Sequence, residues 1–580
     1  MIKIKNYILA ATMGMMAVSC SDFLDEQKPQ GTISGEQKPT PAYAEKQVTS
    51  AYAVFASAED INASFSLWNF DVRSDDAYKG GSTTNDGDVF HMLEVEQGIL
   101  TTNWNLNDIW VRFYNSLSRV NSAISAIEGC DDSYEKKEQR LAEMYFLRAY
   151  THFQLKRLFK KIPFVTDPYL KYDDYAQISN TEYNNDEGWG VIITDLKNAI
   201  DVLPVKKNQA DKGRATKAAA AALLAKVYLY KAYHQDNEKS NEVTSINEED
   251  LRMVKTYTNQ SVYYAGYDLE KDIHNNFRPE EQFENGVESI WAIQYSRNDG
   301  TKYGNLNWGY GLICPNIANV TDGGCDFYKP SQNLVNAFRT DDGGYPRFDD
   351  FNKENYNKDK DNADPRLFLT VGMPGFPYMF NEDYMMNQSG NWSRSGGLYG
   401  YYVTLKHNVD PALIGQYLIK GSFWASSMNR IVLRYADVML MRAEALAQLN
   451  ETADAIKLVN EIRKRAAGST QMIKNYPVKY GVKFYCKTYD ENKTYTKEEA
   501  LKIVKMERRL ELAMESERFF DLVRWGEAAN VLNDYFAVEK SRCNIYENAG
   551  FTANKNEYLP LPHEQVAASN GKYTQNCGGW

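Results

Sequence analysis

Apolar and small residues recur at helical spacing from Asn429 to Ala466, NRIVLRYADVMLMRAEALAQLNETADAIKLVNEIRKRAA. Ile431, Tyr435, Val438, Leu440, Met441, Ala443, Leu446 and Leu449 form one stripe, and Ala455, Ile456, Val459, Ile462 and Ala466 form a second. Asn450-Glu451-Thr452 breaks the pattern between them, and Thr452 is placed to cap the second helix. Small residues at Ala436, Ala443, Ala445 and Ala447 allow close helix approach. Two such helices joined by a short turn are the unit of a tetratricopeptide-like stack. One pair cannot bury its own apolar face, so the pattern demands others.

Helical periods recur at Ala42 to Ala58, Asn105 to Ile127, Glu135 to Phe159, Gly188 to Leu203, Thr216 to Tyr233, Leu251 to Tyr264 and Thr496 to Ala529. Trp110 lies on the apolar stripe with Phe113 and Leu117 and reads as core. The stretch from Ser66 to Leu100 is dense in Gly, Asp, Asn and Ser and is expected to be loop. Between 266 and 427 the helical period is lost. Glycines, prolines and the aromatics Trp291, Trp308, Tyr310, Trp392, Tyr399, Tyr401 and Trp424 take its place, with short strands expected at Glu288 to Tyr295 and Tyr401 to Lys406. An irregular stretch this long must pack its aromatics, so it is expected as a subdomain lying on the helical stack. The fold class is mainly α.

The first 19 residues read as a signal peptide. Lys3 and Lys5 precede an apolar run, Tyr7 to Val18, that is too short to cross a bilayer. Ala17-Val18-Ser19-Cys20 resembles a lipoprotein processing site, which makes Cys20 the acylated first residue of the mature chain; the alternative is cleavage elsewhere beside an incidental cysteine. Residues 20–41, rich in Pro and Gly, form a tether. Helical scaffold then covers 42–265, with a binding loop at 66–104, the irregular ligand-binding subdomain covers 266–427, and helical scaffold with a tail covers 428–580.

Composition narrows the chemistry. With 41 Tyr and 10 Trp among 580 residues, the aromatic content exceeds what a helical core needs and points to aromatic loops or surfaces. The net charge of −11, which becomes −13 once Lys3 and Lys5 are removed, argues against nucleic acid as a partner. Cys130, Cys314, Cys325, Cys486, Cys543 and Cys577 contain no C-x-x-C pair, and only Cys314 and Cys325 are near each other in sequence. An exported chain can oxidise such pairs, but one this large does not need them. The six histidines are scattered, so neither a metal site nor a cofactor is indicated.

Motifs distributed along the chain resemble the SusD/RagB family of Bacteroidetes surface lipoproteins. They are CSDFLD at Cys20 to Asp25, WVRFYNSLSRVN at Trp110 to Asn121, AEMYFLRAYTHFQLKRLFKKIP at Ala142 to Pro163, and Asp364-Pro365-Arg366. LRYADVMLMRAEALA at Leu433 to Ala447, NEIRKR at Asn460 to Arg465, ERRLELAME at Glu507 to Glu515 and RFFDLVRW at Arg518 to Trp525 follow. Leu561-Pro562 and Gln575-Asn576 close the series, and Cys577-Gly578-Gly579-Trp580 departs from the family's usual aromatic ending.

The resemblance implies four tetratricopeptide-like helix pairs carrying an irregular subdomain, with no catalytic activity. It also implies a lipid-anchored protein at the outer face of the outer membrane. There such a protein captures an oligosaccharide and delivers it to a SusC-type TonB-dependent transporter. The alternative is a lipoprotein of the same fold that captures peptides. By region, Trp104 with Asn107 matches where starch-binding relatives place a stacking Trp and an Asn. Tyr303, Trp308 and Tyr310 fall where relatives add further aromatics, and Arg394, Tyr399 and Tyr401 are later candidates.

A glycan site needs aromatic faces and fixed polar groups, and Arg73, Asp75, Asp76 and Asn85 are expected to supply the polar ones. Asp75-Asp76 also reads as a turn with Gly80-Gly81 or as a cation site. Arg508, Glu511, Glu515, Arg518, Asp521 and Arg524, at i+3 and i+4 spacing, read as structural ion pairs rather than an active site. No nucleophile elbow, phosphate loop or zinc motif points to an enzyme. A protein-interaction scaffold is the remaining reading, one that docking on a transporter partly fulfils.

Overall fold

The computed structural model describes residues 39–56, 71–205, 211–259, 265–300, 304–317, 320–388, 392–421 and 423–580. The signal peptide, Cys20, nearly all of the tether, Ser66 to Phe70 and Tyr303 lie outside these residues.

The helices are α1 (Pro41–Ala53), α2 (Asp88–Val95), α3 (Trp104–Gly129), α4 (Lys137–Phe159), α5 (Asn185–Val202), α6 (Lys217–Ala232) and α7 (Glu248–Thr258). After the irregular segment come α8 (Tyr435–Gln448), α9 (Thr452–Gly468), α10 (Lys497–Glu511), α11 (Arg518–Arg524) and α12 (Ala528–Arg542). Capping follows the sequence closely. Asn184 and Glu187 form a reciprocal box at the start of α5, Thr496 and Glu499 form one at α10, and the Thr216 hydroxyl accepts from the Ala219 amide at 3.2 Å.

Each helix packs on the next: α1 on α3, then α3 to α7 in order, with α7 passing the stack across the irregular segment to α8. Helix α8 then packs on α9 and α10. This is the expected tetratricopeptide-like scaffold, and one continuous core runs through it from Ala44 to Tyr573. Trp110 is in that core, set edge-on to Phe159 with ring centres 5.0 Å apart. Alanines at 218–222 and at 443, 445 and 447 let α6 and α8 bury almost completely.

Three local expectations are corrected. Ile431 belongs to a strand, Arg430–Arg434, that pairs antiparallel with Ser289–Ile293, so α8 starts only at Tyr435. The β-branched Ile431-Val432 suits that ribbon, and Trp291, opposite Leu433, meets Phe146 and Tyr150 of α4 at 4.9 and 5.0 Å. Thr452 does not cap α9; it lies in the first turn and its hydroxyl donates to the Tyr495 carbonyl at 3.1 Å. The expected loop before Leu100 contains a strand, Ala77–Gly80, paired with Phe327–Pro330, and also α2, whose Val89, Phe90, Leu93 and Val95 are buried.

The irregular segment has its own core around Tyr310, Tyr328, Phe338, Phe368, Phe376 and Trp424. It draws in Ile473, Tyr476, Leu510 and Met514 from the C-terminal part of the chain. Its strands are short, including Val403–Thr404 within the stretch where one was expected.

The two cores are joined by buried charge. Glu511 at the end of α10 accepts from Arg366 at 3.0 Å and Arg434 at 2.7 Å, and is paired also with Arg465. Arg434 bonds Glu288 and Glu515 as well, and Arg366 bonds Asp364 and Glu507. Arg508 joins Asp437 to Asp521, and Arg524 joins Asp521 to Glu444.

Removing one member strands several buried charges. Glu511→Ala is expected to lower stability by about 3–5 kcal/mol in denaturant titration. Asp454→Ala, which breaks an exposed pair with Lys457, should leave the midpoint unchanged. Burial opposes the charge of Glu444, but Arg524 overrides it and holds the carboxyl at about 2, below its ordinary 4.5. Its contribution to stability is therefore complete above pH 4.5 and is lost as pH falls through about 2. Glu444→Gln should flatten that part of the acid unfolding curve.

Candidate functional site

The nine residues expected to bind ligand fall in different places. Asp75 and Asp76, expected to accept from ligand hydroxyls, are 2% and 0% exposed. Asp75 accepts from Arg518 Nε and pairs with Arg509 Nη2, both at 2.9 Å, while Asp76 takes Arg509 Nε at 2.8 Å. Both carboxylates belong to the structural interior, where Arg509 takes Asp76 through Oδ1 alone and Oδ2 is buried without a hydrogen-bond partner among the described residues. Arg73 is likewise spent on Glu96 and the Asn556 carbonyl. Tyr310 is 1% exposed inside the second core and is not a surface platform.

Trp104 is 52% exposed at the first position of α3. Beside it, Asn107 accepts from Gln565 Nε2 at 2.9 Å, which fixes the tail against the helix start. Trp308 is half-buried and lies over Gly421, where a Cβ would come within 2.7 Å of the indole.

Arg394 and Tyr399 are brought together. Both stand on the 392–402 turn, which faces the loop that follows Ala77–Gly80. Arg394 pairs with Asp86 at 3.3 Å, and the Lys79 ammonium stands 5.2 Å from the Tyr399 ring and 5.0 Å from that of Phe327. Lys79 Nζ donates to the carbonyls of Gly80, Thr83 and Asp86 at 3.0, 2.9 and 2.6 Å, so one buried ammonium ties down the whole loop. Burial lowers its pKa to about 8.

Tyr399, itself 1% exposed, stands behind the wall of a cleft of about 570 Å³, a size that suits a small ligand, and the half-buried rings of Tyr356, Tyr401 and Tyr402 form its surface. Tyr78, Tyr356, Tyr401, Tyr402 and Tyr546 share its walls with Gln332, Asn355 and Arg542. Tyr401 packs so closely on Gly396 that a Cβ there would come within 2.2 Å of its ring. Most polar groups are satisfied internally: Tyr78 donates to Glu539 at 2.9 Å, Tyr546 to Glu94 at 2.8 Å and Tyr402 to Gln332 at 3.0 Å. The hydroxyls of Tyr356 and Tyr399 are buried with no partner among the described residues.

Two other spaces are less suited. An enclosed one of about 60 Å³ beside Gln154, Arg157 and Glu517 has room for about two waters. A groove of about 720 Å³ between Phe348 and Trp525 has no unpartnered buried polar atom on its walls among the described residues.

A family model described as "SusD family" matches residues 287–580, just over half of the chain. The chain belongs to the SusD family. A second model, described as "Starch-binding associating with outer membrane", matches residues 22–229. SusD-like protein P2 of Formosa agariphila is 24% identical over a 587-residue alignment covering 99% of each chain. A SusD-like protein of Bacteroides ovatus is 30% identical over 194 residues, 33% of each chain.

Among solved SusD-type structures, a laminarin-binding SusD-like protein superposes with a TM-score of 0.65 at 22% identity, covering 93% of this chain and 99% of that one. Surface glycan-binding protein A of Bacteroides thetaiotaomicron, in complex with laminarihexaose, gives 0.64 at 19% identity over the same shares. At these identities the likeness establishes the fold.

Of the tyrosines on this cleft, Tyr399 and Tyr401 are among those the sequence nominates, and Tyr78, Tyr356, Tyr402 and Tyr546 are not. The run Tyr399-Gly400-Tyr401-Tyr402 was the available signal; the others come from distant segments. Lys79→Met removes the donor to three carbonyls. Amide exchange across 81–86 should quicken at least roughly tenfold, corresponding to about 1–3 kcal/mol of local stability, with α5 and α6 unaffected.

Proposed function

We propose that this SusD-family chain is a cell-surface glycan-binding lipoprotein that captures oligosaccharides and delivers them to a SusC-type TonB-dependent transporter. The observation that carries the reading is the tyrosine-lined cleft with two buried phenol hydroxyls left unpartnered, at Tyr356 and Tyr399. A buried hydroxyl without a partner costs free energy that a ligand hydroxyl recovers once the phenol turns toward it, and the half-buried rings of Tyr356, Tyr401 and Tyr402 offer apolar faces for sugar C–H groups. The starch-binding, outer-membrane description of the family model that matches residues 22–229, and the laminarihexaose bound by a protein of the same fold, support a carbohydrate ligand.

Cys20, which follows Ala17-Val18-Ser19 in a sequence like a lipoprotein processing site, is the proposed lipid anchor to the outer membrane. Trp104, with Asn107, and Trp308 are proposed as further contacts outside the cleft, and the 266–427 segment as the ligand-bearing subdomain. Capture and hand-over need no bond-making step, so we propose no catalytic activity.

The test is affinity gel electrophoresis against soluble polysaccharides, followed by calorimetry on any that retards the protein. Tyr399→Phe and Tyr356→Phe should each weaken binding about 2–10-fold, from the loss of about 0.5–1.5 kcal/mol per hydrogen bond, while raising Tm of the free protein because an unsatisfied buried hydroxyl is removed. Trp104→Ala should weaken polysaccharide binding more than binding of short oligosaccharides. Unchanged affinity in both tyrosine variants would remove the cleft from the site. A folded protein retarded by no glycan would overturn the glycan reading itself.

A further inference from the structure

The cleft's charged groups carry information about which sugars it accepts. Arg542 is the guanidinium on its wall, and its fork is closed. Nη1 donates to Glu539 at 2.6 Å, and Nη2 donates to Asn352 and Asn355 at 3.0 and 2.9 Å. Glu539 is 1% exposed and also accepts from Tyr78. Lys358, at the rim, is paired with Asp359 at 2.7 Å. On the neighbouring loop Arg394 is held by Asp86 and Lys79 by three backbone carbonyls.

A uronate or sulfate group is held most strongly by a free bidentate fork, and the guanidinium on the cleft wall is already paired with the buried Glu539, which leaves only the solvent-exposed Lys358, beside Asp359, as a point charge at the rim. The whole chain carries −11, which raises the potential against an approaching polyanion. The two groups left to be satisfied are neutral phenols on Tyr356 and Tyr399. Neutral hydroxyls match them without stranding a charge.

Building on the glycan reading above, we infer that this cleft selects neutral oligosaccharides and excludes uronate-containing or sulfated ones. The discrimination is built by Glu539, which occupies the guanidinium that an acidic sugar would need. Glu539 thus acts as a specificity-determining residue from behind the wall.

Cys543 provides a local reporter: it lines the cleft, and its thiol donates to the Leu398 carbonyl at 3.5 Å. The experiment follows alkylation of Cys543 by iodoacetamide in the purified full-length protein, read peptide by peptide with mass spectrometry. The half-buried Cys325, Cys486 and Cys577 serve as internal controls. The probes are neutral gluco-, manno- and xylo-hexasaccharides and, at equal concentration, hexagalacturonate and a sulfated hexasaccharide.

The expected result is that at least one neutral probe slows Cys543 labelling roughly fivefold at several times its Kd, with the acidic probes without effect. Protection by an acidic probe equal to that of the best neutral one would overturn the selectivity while leaving the glycan reading intact. A glycan that retards the protein in gels yet never protects Cys543 would place binding elsewhere and overturn both the cleft and this inference. No binding by any probe or polysaccharide would overturn the functional reading itself. In Glu539→Gln the freed guanidinium should gain affinity for hexagalacturonate about tenfold. Should that variant fail to fold, the comparison of neutral with acidic probes on the unmodified protein decides alone.

Discussion

Buried arginines hold this molecule together. Glu511 is fully buried yet stands among Arg366, Arg434 and Arg465, and each of those reaches a further carboxylate on another part of the chain. A charge removed from water is tolerated only with partners at short range and with its remaining hydrogen bonds filled. The lattice therefore fixes the mutual position of segments 288, 364–366, 434, 465 and 507–515 at once. Apolar packing between the same segments would permit sliding, whereas ion pairs with defined donor geometry do not. The irregular segment is held on the helical stack by this constraint together with the shared apolar core.

The same constraint explains which parts of the molecule were legible in sequence. Helices with one apolar stripe, such as Trp104–Gly129, were read within a residue or two, because burial on one face imposes a period. Strand Arg430–Arg434 was hidden because its alternation is short and runs directly into a helix. Helix Asp88–Val95 was hidden inside a Gly- and Asp-rich stretch, where Gly87 in a left-handed conformation starts it and two turns of apolar residues suffice to bury it. Local spacing cannot report a partner that lies hundreds of residues away.

The candidate site shows the limit most clearly. Asp75 and Asp76 look like ligand groups in sequence because they sit in a loop among Gly and Ser. Their partners, Arg509 and Arg518, are on α10 and α11, and nothing near residue 75 announces them. Arg518 reads as structural by its spacing and Arg509 carries no such signal, and which carboxylates either reaches is not readable from local sequence. Tyr399 is nominated by its region, an aromatic-rich stretch of the irregular segment. Tyr78, Tyr356 and Tyr546 reach the same cleft by topology alone.

The cleft inherits its rigidity from this arrangement. Its walls come from the strand at Ala77–Gly80, the 355–358 and 396–402 segments, and the end of α12, each tied to a buried polar group. Tyr78 is held by Glu539, Tyr546 by Glu94, and the facing loop by Lys79. A site preformed in this way loses little side-chain freedom when a ligand arrives, which matters for sugars, whose hydroxyls trade water for protein at small net gain. It also means that selectivity is set by groups the ligand never touches. A carboxylate behind the wall decides whether a guanidinium is available, and the arginine network decides which carboxylates remain behind the wall.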